Sequence, residues 1–408
     1  MTRILFAVVF LLLPLSARTA EPGKRATLTQ KEIAEGWILI FDGQTTFGWT
    51  SPNGSKWTIA DGMLAPQAGK PGLLVTTTVW SDYDLSLEYR ARDRKTFRVL
   101  LSTTAEGKEG RTGEVVSSLF GDAGKFWRMR LTCRDGRLLS HTEEEISGIF
   151  GGRAGARKKE RGTSEPAPVR GHIALAGNGF IVRNIKLRPL NTKPLFNGKN
   201  LDGWKKYTGE ERRAKSIFGV TREGWLSLKN GRGDLQTTGQ WADFVLQLEC
   251  KTNGDRLNSG IFFRCLPGEY QQGYEAQIHN GFSDPPGKEY TLEIYDPQTH
   301  KLKEKRKQMF TASDYGTGAI YRRQPARFQM AKDREWFAMT VAAQGRHLAT
   351  WVNGVQVVDW TDNRPLAANA REGCYLKKGP LSIQGHDPST DLVFRNLRLA
   401  ELPPSEKK

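Results

Sequence analysis

The chain contains one pattern twice. Gly72 to Arg90 aligns without gaps on Gly233 to Lys251, so that Leu74, Thr76, Thr77, Trp80, Asp82, Leu85, Leu87 and Glu88 return as Leu235, Thr237, Thr238, Trp241, Asp243, Leu246, Leu248 and Glu249. Phe41-Asp-Gly43 with Gly48-Trp49 returns as Phe196-Asn-Gly198 with Gly203-Trp204, and Val182-Arg-Asn-Ile-Lys-Leu187 as Phe394-Arg-Asn-Leu-Arg-Leu399. A period of roughly 160 residues is far too long for a solenoid and indicates duplicated domains, joined near Leu190 to Pro194. The total of 408 residues is also more than one ordinary core accommodates. Whatever architecture one copy adopts, the other is expected to share.

Within each copy almost everything reads as short β-branched or aromatic runs separated by Gly, Asp, Asn and Pro, the pattern of an all-β sandwich. One short helix precedes them. Thr29-Gln-Lys-Glu32 fits a capping box and Gly36 suits a helix end, which predicts a helix from Gln30 to Glu35 leading into a first strand, Trp37 to Phe41. Trp351-Val-Asn-Gly354 reads as a hairpin turn, because Asn-Gly supplies the positive φ of a type I′ turn.

Ahead of the helix, Arg3, an apolar run from Ile4 to Leu15 and then small residues have the form of a secretory signal peptide. The run is too short to span a bilayer, and no other has membrane length. The expected parts are a signal peptide (1–20), a first domain (27–190) and a second (194–402), in an exported, periplasmic or extracellular protein. The formal charge of +17 raises nucleic acid and anionic surfaces as partners, but a basic total speaks of solubility and non-specific attraction. No phosphate-cradling loop or Ser/His/Asp spacing stands out, and no nucleic acid partner is expected. Four cysteines leave three full pairings open. Cys250 and Cys265, on what read as consecutive antiparallel strands, are one pair able to meet, and the absence of a CxxC pair argues against structural zinc.

Strand alternation places Glu275, Gln277 and His279 on one face of Tyr274-Glu-Ala-Gln-Ile-His279, with Ala276 and Ile278 on the other. By the same parity Phe262 and Arg264 share a face, as do Gln384 and His386 in Leu381-Ser-Ile-Gln-Gly-His386. A plain solvent face of a half-buried strand accounts for such rows in general, but Glu, Gln, two His and an Arg are an unusual choice for one. The first copy has Ile173-Ala-Leu-Ala-Gly-Asn178 in place of the last motif and no counterpart of the Glu275 row. It offers a basic, Gly-rich stretch, Gly151 to Arg170, instead. The first domain therefore reads as auxiliary and the second as the site.

These motifs resemble the 3-keto-disaccharide hydrolase family. The resemblance rests on Leu28-Thr-Gln-Lys-Glu-Ile-Ala-Glu-Gly-Trp37 followed by Phe-Asp-Gly, Asn258-Ser-Gly-Ile-Phe-Phe-Arg264, Gly273-Tyr-Glu-Ala-Gln-Ile-His-Asn-Gly281, Gly316-Thr-Gly-Ala-Ile-Tyr321, Thr350-Trp-Val-Asn-Gly354, and Gln384-Gly-His386 leading to Phe394-Arg-Asn-Leu. It covers Pro194 to Leu402 strongly and Thr27 to Pro189 in degraded form. It implies two tandem concanavalin- or laminin-G-like jelly rolls whose concave face binds sugar, and cleavage of glycosides oxidised to a ketone at C3. The insertion from about Phe282 to Tyr315, with the basic run Lys301 to Lys307 read as a solvated loop, departs from simple members.

A C3 ketone acidifies the C2 hydrogen, so such cleavage needs one base, one acid and an electrophile. Glu275 suits the base, His279 or His386 the acid or base, and Arg264 the charge stabiliser. Asn258, Gln277, Gln384, Tyr321 and Arg322 are the candidate sugar contacts. The same Glu275, His279 and His386 form three ligands for a divalent metal if they converge, although no metal is expected and the cofactor stays open. The alternative function is a non-catalytic carbohydrate-binding sandwich using the same face, and a third is a polyanion or surface-adhesion module.

Overall fold

Glu32 N donates to Thr29 Oγ1 (3.2 Å) and Thr29 N to Glu32 Oε2 (2.9 Å), closing the N-terminus of the helix Gln30–Glu35. Gly36 ends it in a left-handed turn. The computed structural model describes residues 25–91, 97–108, 114–116, 125–135, 137–146, 170–280, 289–295, 302–309 and 316–404. The leader-like segment and all of the basic Gly151 to Arg170 stretch except Arg170 lie outside these residues. After the helix the described chain is almost wholly strand, and the first strand is shorter than expected, Ile38–Leu39.

Each half is a two-sheet sandwich, and matching strands occupy matching places. In the first half the larger sheet runs Arg137–Glu145, Trp127–Arg134, Tyr83–Ala91, Phe180–Pro189, Met63–Pro66, Trp57–Ala60, with Ile38–Leu39 also on Phe180–Pro189. Its smaller sheet runs Trp49–Thr50, Gly72–Thr76, His172–Gly177, Phe97–Thr103, Glu114–Val116. In the second half the larger sheet runs Val355–Thr361, His347–Val352, Phe337–Gln344, Phe244–Thr252, Asp391–Glu401, Leu226–Lys229, Ile217–Val220, with Lys193–Pro194 also on Asp391–Glu401. Its smaller sheet runs Trp204–Lys206, Gly233–Thr237, Ser382–Gly385, Ser259–Phe263, Tyr274–Ile278. These are two tandem jelly-roll sandwiches. The expected loop at Lys301 to Lys307 is instead mostly strand: Glu289–Tyr295 and Leu302–Met309 pair as an antiparallel ribbon, whose alternation the run of charges obscured.

The repeated Arg-Asn pairs have a structural role. Asn184 and Asn396 take φ of 50° and 54° where the ladders to the neighbouring strands shift register, a bulge conformation that Asn tolerates. Asn184 Nδ2 and Arg183 Nε bond Glu88 (3.0 and 2.9 Å), and Arg395 and Asn396 bond Glu249 likewise. The same three residues thus pin the same bulge in both halves.

The second core, centred on Leu235, Phe244, Leu246, Phe263 and Phe394, lies between its two sheets. The first core includes Leu74, Leu85, Leu87, Phe97 and Val182, and also takes in Val245, Ala342, Ala349, Trp351 and Leu402 from the second half. Val245, Ala342, Ala349 and Trp351 alternate with core-facing residues, so they belong to the outer face of the second half's larger sheet. The first half therefore seats on the back of the second. Trp351 Nε1 donates to Leu39 O (2.9 Å), its ring lies 5.8 Å from that of Trp80, and Leu39 N donates to Gly354 O (2.7 Å). The Asn353-Gly354 turn is the expected one, with φ of 48° and 79°.

All four cysteines are buried free thiols. Cys250 and Cys265 do not pair because Cys250 enters the core of the sandwich, whereas Cys265, one residue past the left-handed Arg264, lies on the side of Asp234, Arg371 and Glu275. Among the described residues no helix is long and apolar enough to cross a membrane.

Candidate functional site

The outer face of the second half's smaller sheet is polar in ordered rows. The register sets Asp234 beside Gln384, Gln236 beside Ser382, Ser382 beside Phe262, Phe262 beside Glu275, and Gly260 beside Gln277. One row is thus Gln236, Ser382, Phe262, Glu275, and the next Asp234, Gln384, Gly260, Gln277. Just past the strand ends, Asn258 Oδ1 lies 3.3 Å from the Gln277 amide, and His386 follows Gly385. The opposite faces of these strands, Leu235, Ile383, Ile261 and Ala276, enter the core.

The equivalent sheet of the first half keeps one acidic position and is apolar at five others. Glu114 pairs with Leu100 as Glu275 pairs with Phe262, a counterpart that the sequence comparison did not find, whereas Gln277 is matched by Val116. Leu73, Val75, Ala174, Ala176 and Leu100 stand where the second half has Asp234, Gln236, Ser382, Gln384 and Phe262, and they pack as a small hydrophobic cluster. Architecture alone therefore does not require polarity at those five positions.

Glu275 is buried. With the Gln277 amide turned so that both its ends are satisfied, its nitrogen donates to Glu275 Oε1 (3.0 Å) and Ser259 O (3.2 Å). The Arg371 guanidinium donates to Glu275 Oε2 (3.2 Å). Burial nonetheless holds the Glu275 carboxyl above the usual carboxylate range, outweighing the opposing pull of Arg371, His386 and Arg322. Gly260 gives Glu275 its room, since a Cβ there would lie 2.6 Å from Oε1.

Arg371 is held from outside the sheet. Its Nε donates to Gln271 O (2.9 Å), its guanidinium lies 4.9 Å from the Phe262 ring and 5.8 Å from that of Tyr321, and its N donates to Asn369 Oδ1. Arg364 ties Asp362 to the carbonyls of Ala370 and Gly373, while Tyr274 bridges Asp362 to Tyr375 N. The loop carrying Arg371 is thereby braced on both sides.

Asp234 is fully buried under the segment from Leu266 to Gln272. Gln271 N donates to its Oδ2 (3.0 Å), and Gln236 clamps the same segment through Glu269 O and Gly268 N. Asp234 Oδ1 and Gln384 Oε1 have no hydrogen-bond partner; the Ser382 hydroxyl favours ionised Asp234 without completing a bond to it. Burial pushes the Asp234 carboxyl up to about 7 from the ordinary 3.8, with the Glu275 charge adding to the rise. Between these two pH values the folded chain keeps a proton that the unfolded chain has lost, so this group lowers stability as pH rises through that window. Asp234→Asn, which removes the effect, is expected to match the wild type below pH 4. It is expected to exceed it above pH 7, by up to about 4 kcal/mol for a shift of roughly three units. Urea unfolding at the two pH values checks this, and equal gaps at both would contradict it.

The structure brings Glu275, Gln277 and Gln384 to one face, with Asn258 against Gln277 and His386 close enough to act on Glu275, while His279, buried one residue past the strand, bonds through its backbone N to Thr317 Oγ1 (2.9 Å). Tyr321 N donates to Glu275 O (2.9 Å), and the Arg322 guanidinium lies 5.1 Å from the Tyr321 ring, which sets both at the rim. Arg264 goes elsewhere. It has φ of 51°, which breaks the strand alternation, and its wholly buried guanidinium bonds Ala242 O, Gly345 O, Tyr375 O and Asp243 Oδ1. Asp243 also pairs with Arg170 (2.5 Å), so Arg264 anchors loops and the contact between halves rather than the charge of a substrate. Among the described residues no group of three His, Cys, Asp or Glu is placed to hold a metal ion.

Sequence reasoning missed Asp234, Gln236, Ser382 and Arg371. A signal existed for the first three: each replaces Leu73, Val75 or Ala174 inside otherwise matching repeat blocks.

Compared with known proteins, the chain matches the family described as the 3-keto-alpha-glucoside-1,2-lyase-like domain twice, over residues 36–188 and 191–400. Among solved structures it is similar to a candidate glycosyl hydrolase from Parabacteroides distasonis, at 19% identity and a TM-score of 0.39, over 52% of this chain and 94% of that one. A second from the same organism has 22% identity and a TM-score of 0.36 over 52% and 100%. A carbohydrate-binding module from Bacillus subtilis has 13% and 0.29 over 48% and 93%. No curated protein matches.

Proposed function

The chain belongs to the 3-keto-alpha-glucoside-1,2-lyase-like family, and we propose that its second half cleaves 3-keto-glycosides by elimination across C1 and C2, outside the cytoplasm. The observation that carries this reading is the buried carboxyl of Glu275, held between the Gln277 amide and the Arg371 guanidinium with His386 close by. Export rests on the leader-like segment from Arg3 to Leu15.

Glu275 takes the C2 hydrogen as a proton, and the C–H electron pair moves into an enolate with its charge on the C3 oxygen. A carboxyl held above its ordinary range is better matched to this task near neutral pH. Arg371, beside Glu275, is the cation available to that oxygen, the role that sequence parity assigned to Arg264. Collapse of the enolate restores C3=O, forms C1=C2 and expels the C1 substituent, whose oxygen takes a proton from the His386 imidazolium. Gln277, Gln384 and Asn258 orient the ring hydroxyls.

The test is incubation with a 3-keto-disaccharide and its unoxidised parent, following monosaccharide release and exchange of the C2 hydrogen in deuterated water. Release and exchange from the ketone alone are expected. Binding of both sugars with neither exchange nor release would favour a non-catalytic sugar-binding module.

Arg371→Gln gives a separate handle. The guanidinium opposes the rise of the Glu275 carboxyl, so its removal raises that carboxyl further and leaves less of it ionised at a given pH. The acid limb of kcat/KM is expected to move to higher pH, and an unmoved limb would argue against the pairing.

A further inference from the structure

The two halves join equivalent strands by connections of different length. In the first, His172–Gly177 and Phe180–Pro189 are linked by Asn178-Gly179 alone; in the second, Ser382–Gly385 and Asp391–Glu401 are linked by His386-Asp-Pro-Ser-Thr390. A two-residue turn suffices for the fold, so the longer connection needs another reason.

Its hydrogen bonds converge on one carboxylate. Asp387 Oδ1 accepts from Ser389 N (2.8 Å) and the Ser389 hydroxyl, and Asp387 Oδ2 lies 2.8 Å from His386 Nδ1. The buried Thr390 Oγ1 accepts from His386 N and Asp387 N (3.1 Å each), and Asn230 N donates to Thr390 O (2.7 Å). Beneath the loop the Gly231 backbone packs so closely that a Cβ there would lie 2.4 Å from Asp387 N. The backbone around the pair is thus pinned at several points.

We propose that Asp387 is a positioning residue that keeps the proton of neutral His386 on Nδ1 and presents Nε2 to the substrate. An ionised carboxylate accepts only, so the ring nitrogen facing it must donate. Its bonds from Ser389 and His386 hold Asp387 well below the usual carboxylate range. On the other side His386 is close enough to Glu275 to favour that carboxylate's ionised form. One end of the ring is therefore fixed while the other serves the site.

The inference rests on the lyase reading for its kinetic consequence, but not for its geometry. In full-length protein, the nitrogen-15 shifts of His386 at alkaline pH are expected to report the Nδ1–H tautomer. Asp387→Asn and Asp387→Ala are expected to shift it toward Nε2–H and to lower kcat on a 3-keto-glycoside at least ~10-fold, with KM within about twofold. Asp387→Asn retains acceptors for Ser389, so it separates orientation of the ring from collapse of the loop. An Nε2–H tautomer in the wild type, or full kcat in both variants, would overturn the proposal. If the wild type turns over no 3-keto-glycoside, the lyase reading fails and the tautomer alone decides the role of Asp387.

Discussion

Glu275→Gln is expected to abolish proton abstraction while leaving the sheet intact. Gln has nearly the shape of Glu, and its amide keeps an acceptor for Arg371 and contact with Gln277, so the fold loses little. The variant lacks a base, and loss of a positioned general base typically lowers kcat by about 10²–10⁴. The C2 hydrogen exchange should fall in the same proportion as product release, because both follow the same proton transfer. KM should change little. Stability near neutral pH should not fall, since a buried carboxyl that resists ionisation is replaced by a neutral group. A variant that retains exchange at the wild-type rate would move the base to another residue, and Asp234, the other buried carboxyl on this face, would be the first to examine.

Trp351→Ala is expected to have the largest effect on stability. The indole is 1% exposed, donates to Leu39 O and packs against Trp80, which places a side chain of the second half inside the core of the first. Truncation of a buried Trp costs about 3–5 kcal/mol, against a typical total of ~5–15 kcal/mol for a domain. Urea unfolding followed by Tyr and Trp fluorescence should show a lower midpoint and a split into two transitions as the halves uncouple. A loss under ~1 kcal/mol would mean that the contact between halves contributes little. The same packing bears on separating the halves. The sequence reads the first domain as auxiliary, which would let the residues after Leu190 be separated from it. Cutting there exposes Val245, Ala342, Ala349 and Trp351 together, so an isolated second half is expected to be poorly soluble rather than merely lacking an accessory.

The site was legible where it depended on alternation. Glu275, Gln277 and Gln384 reach one face because period-2 patterning is local to each strand, whereas the match of Glu114 to Glu275 escaped the motif comparison and came only from strand register. Arg264 shows the limit: a single residue at positive φ ends the alternation, and nothing in Phe-Phe-Arg-Cys-Leu announces it. Arg371 shows another, since it meets Glu275 from 96 positions away through a loop whose course is set by Asp362, Arg364 and Tyr274. Cys250 and Cys265 show a third, because the same break at Arg264 leaves Cys265 outside the core that Cys250 enters.

By itself the sequence determined the duplication, the all-β class, the capped helix, the Asn353-Gly354 turn and the faces of the site strands. These are encoded by spacing within a few residues or by direct repetition. Only the tertiary structure decided which sheet each strand joined, that the first half docks on the back of the second through Trp351, and that Arg371 rather than Arg264 stands beside the carboxyl. Each depends on contacts between segments far apart in the chain, whose energies lie in burial and in hydrogen bonds to backbone carbonyls. Such contacts leave no periodic mark on the sequence.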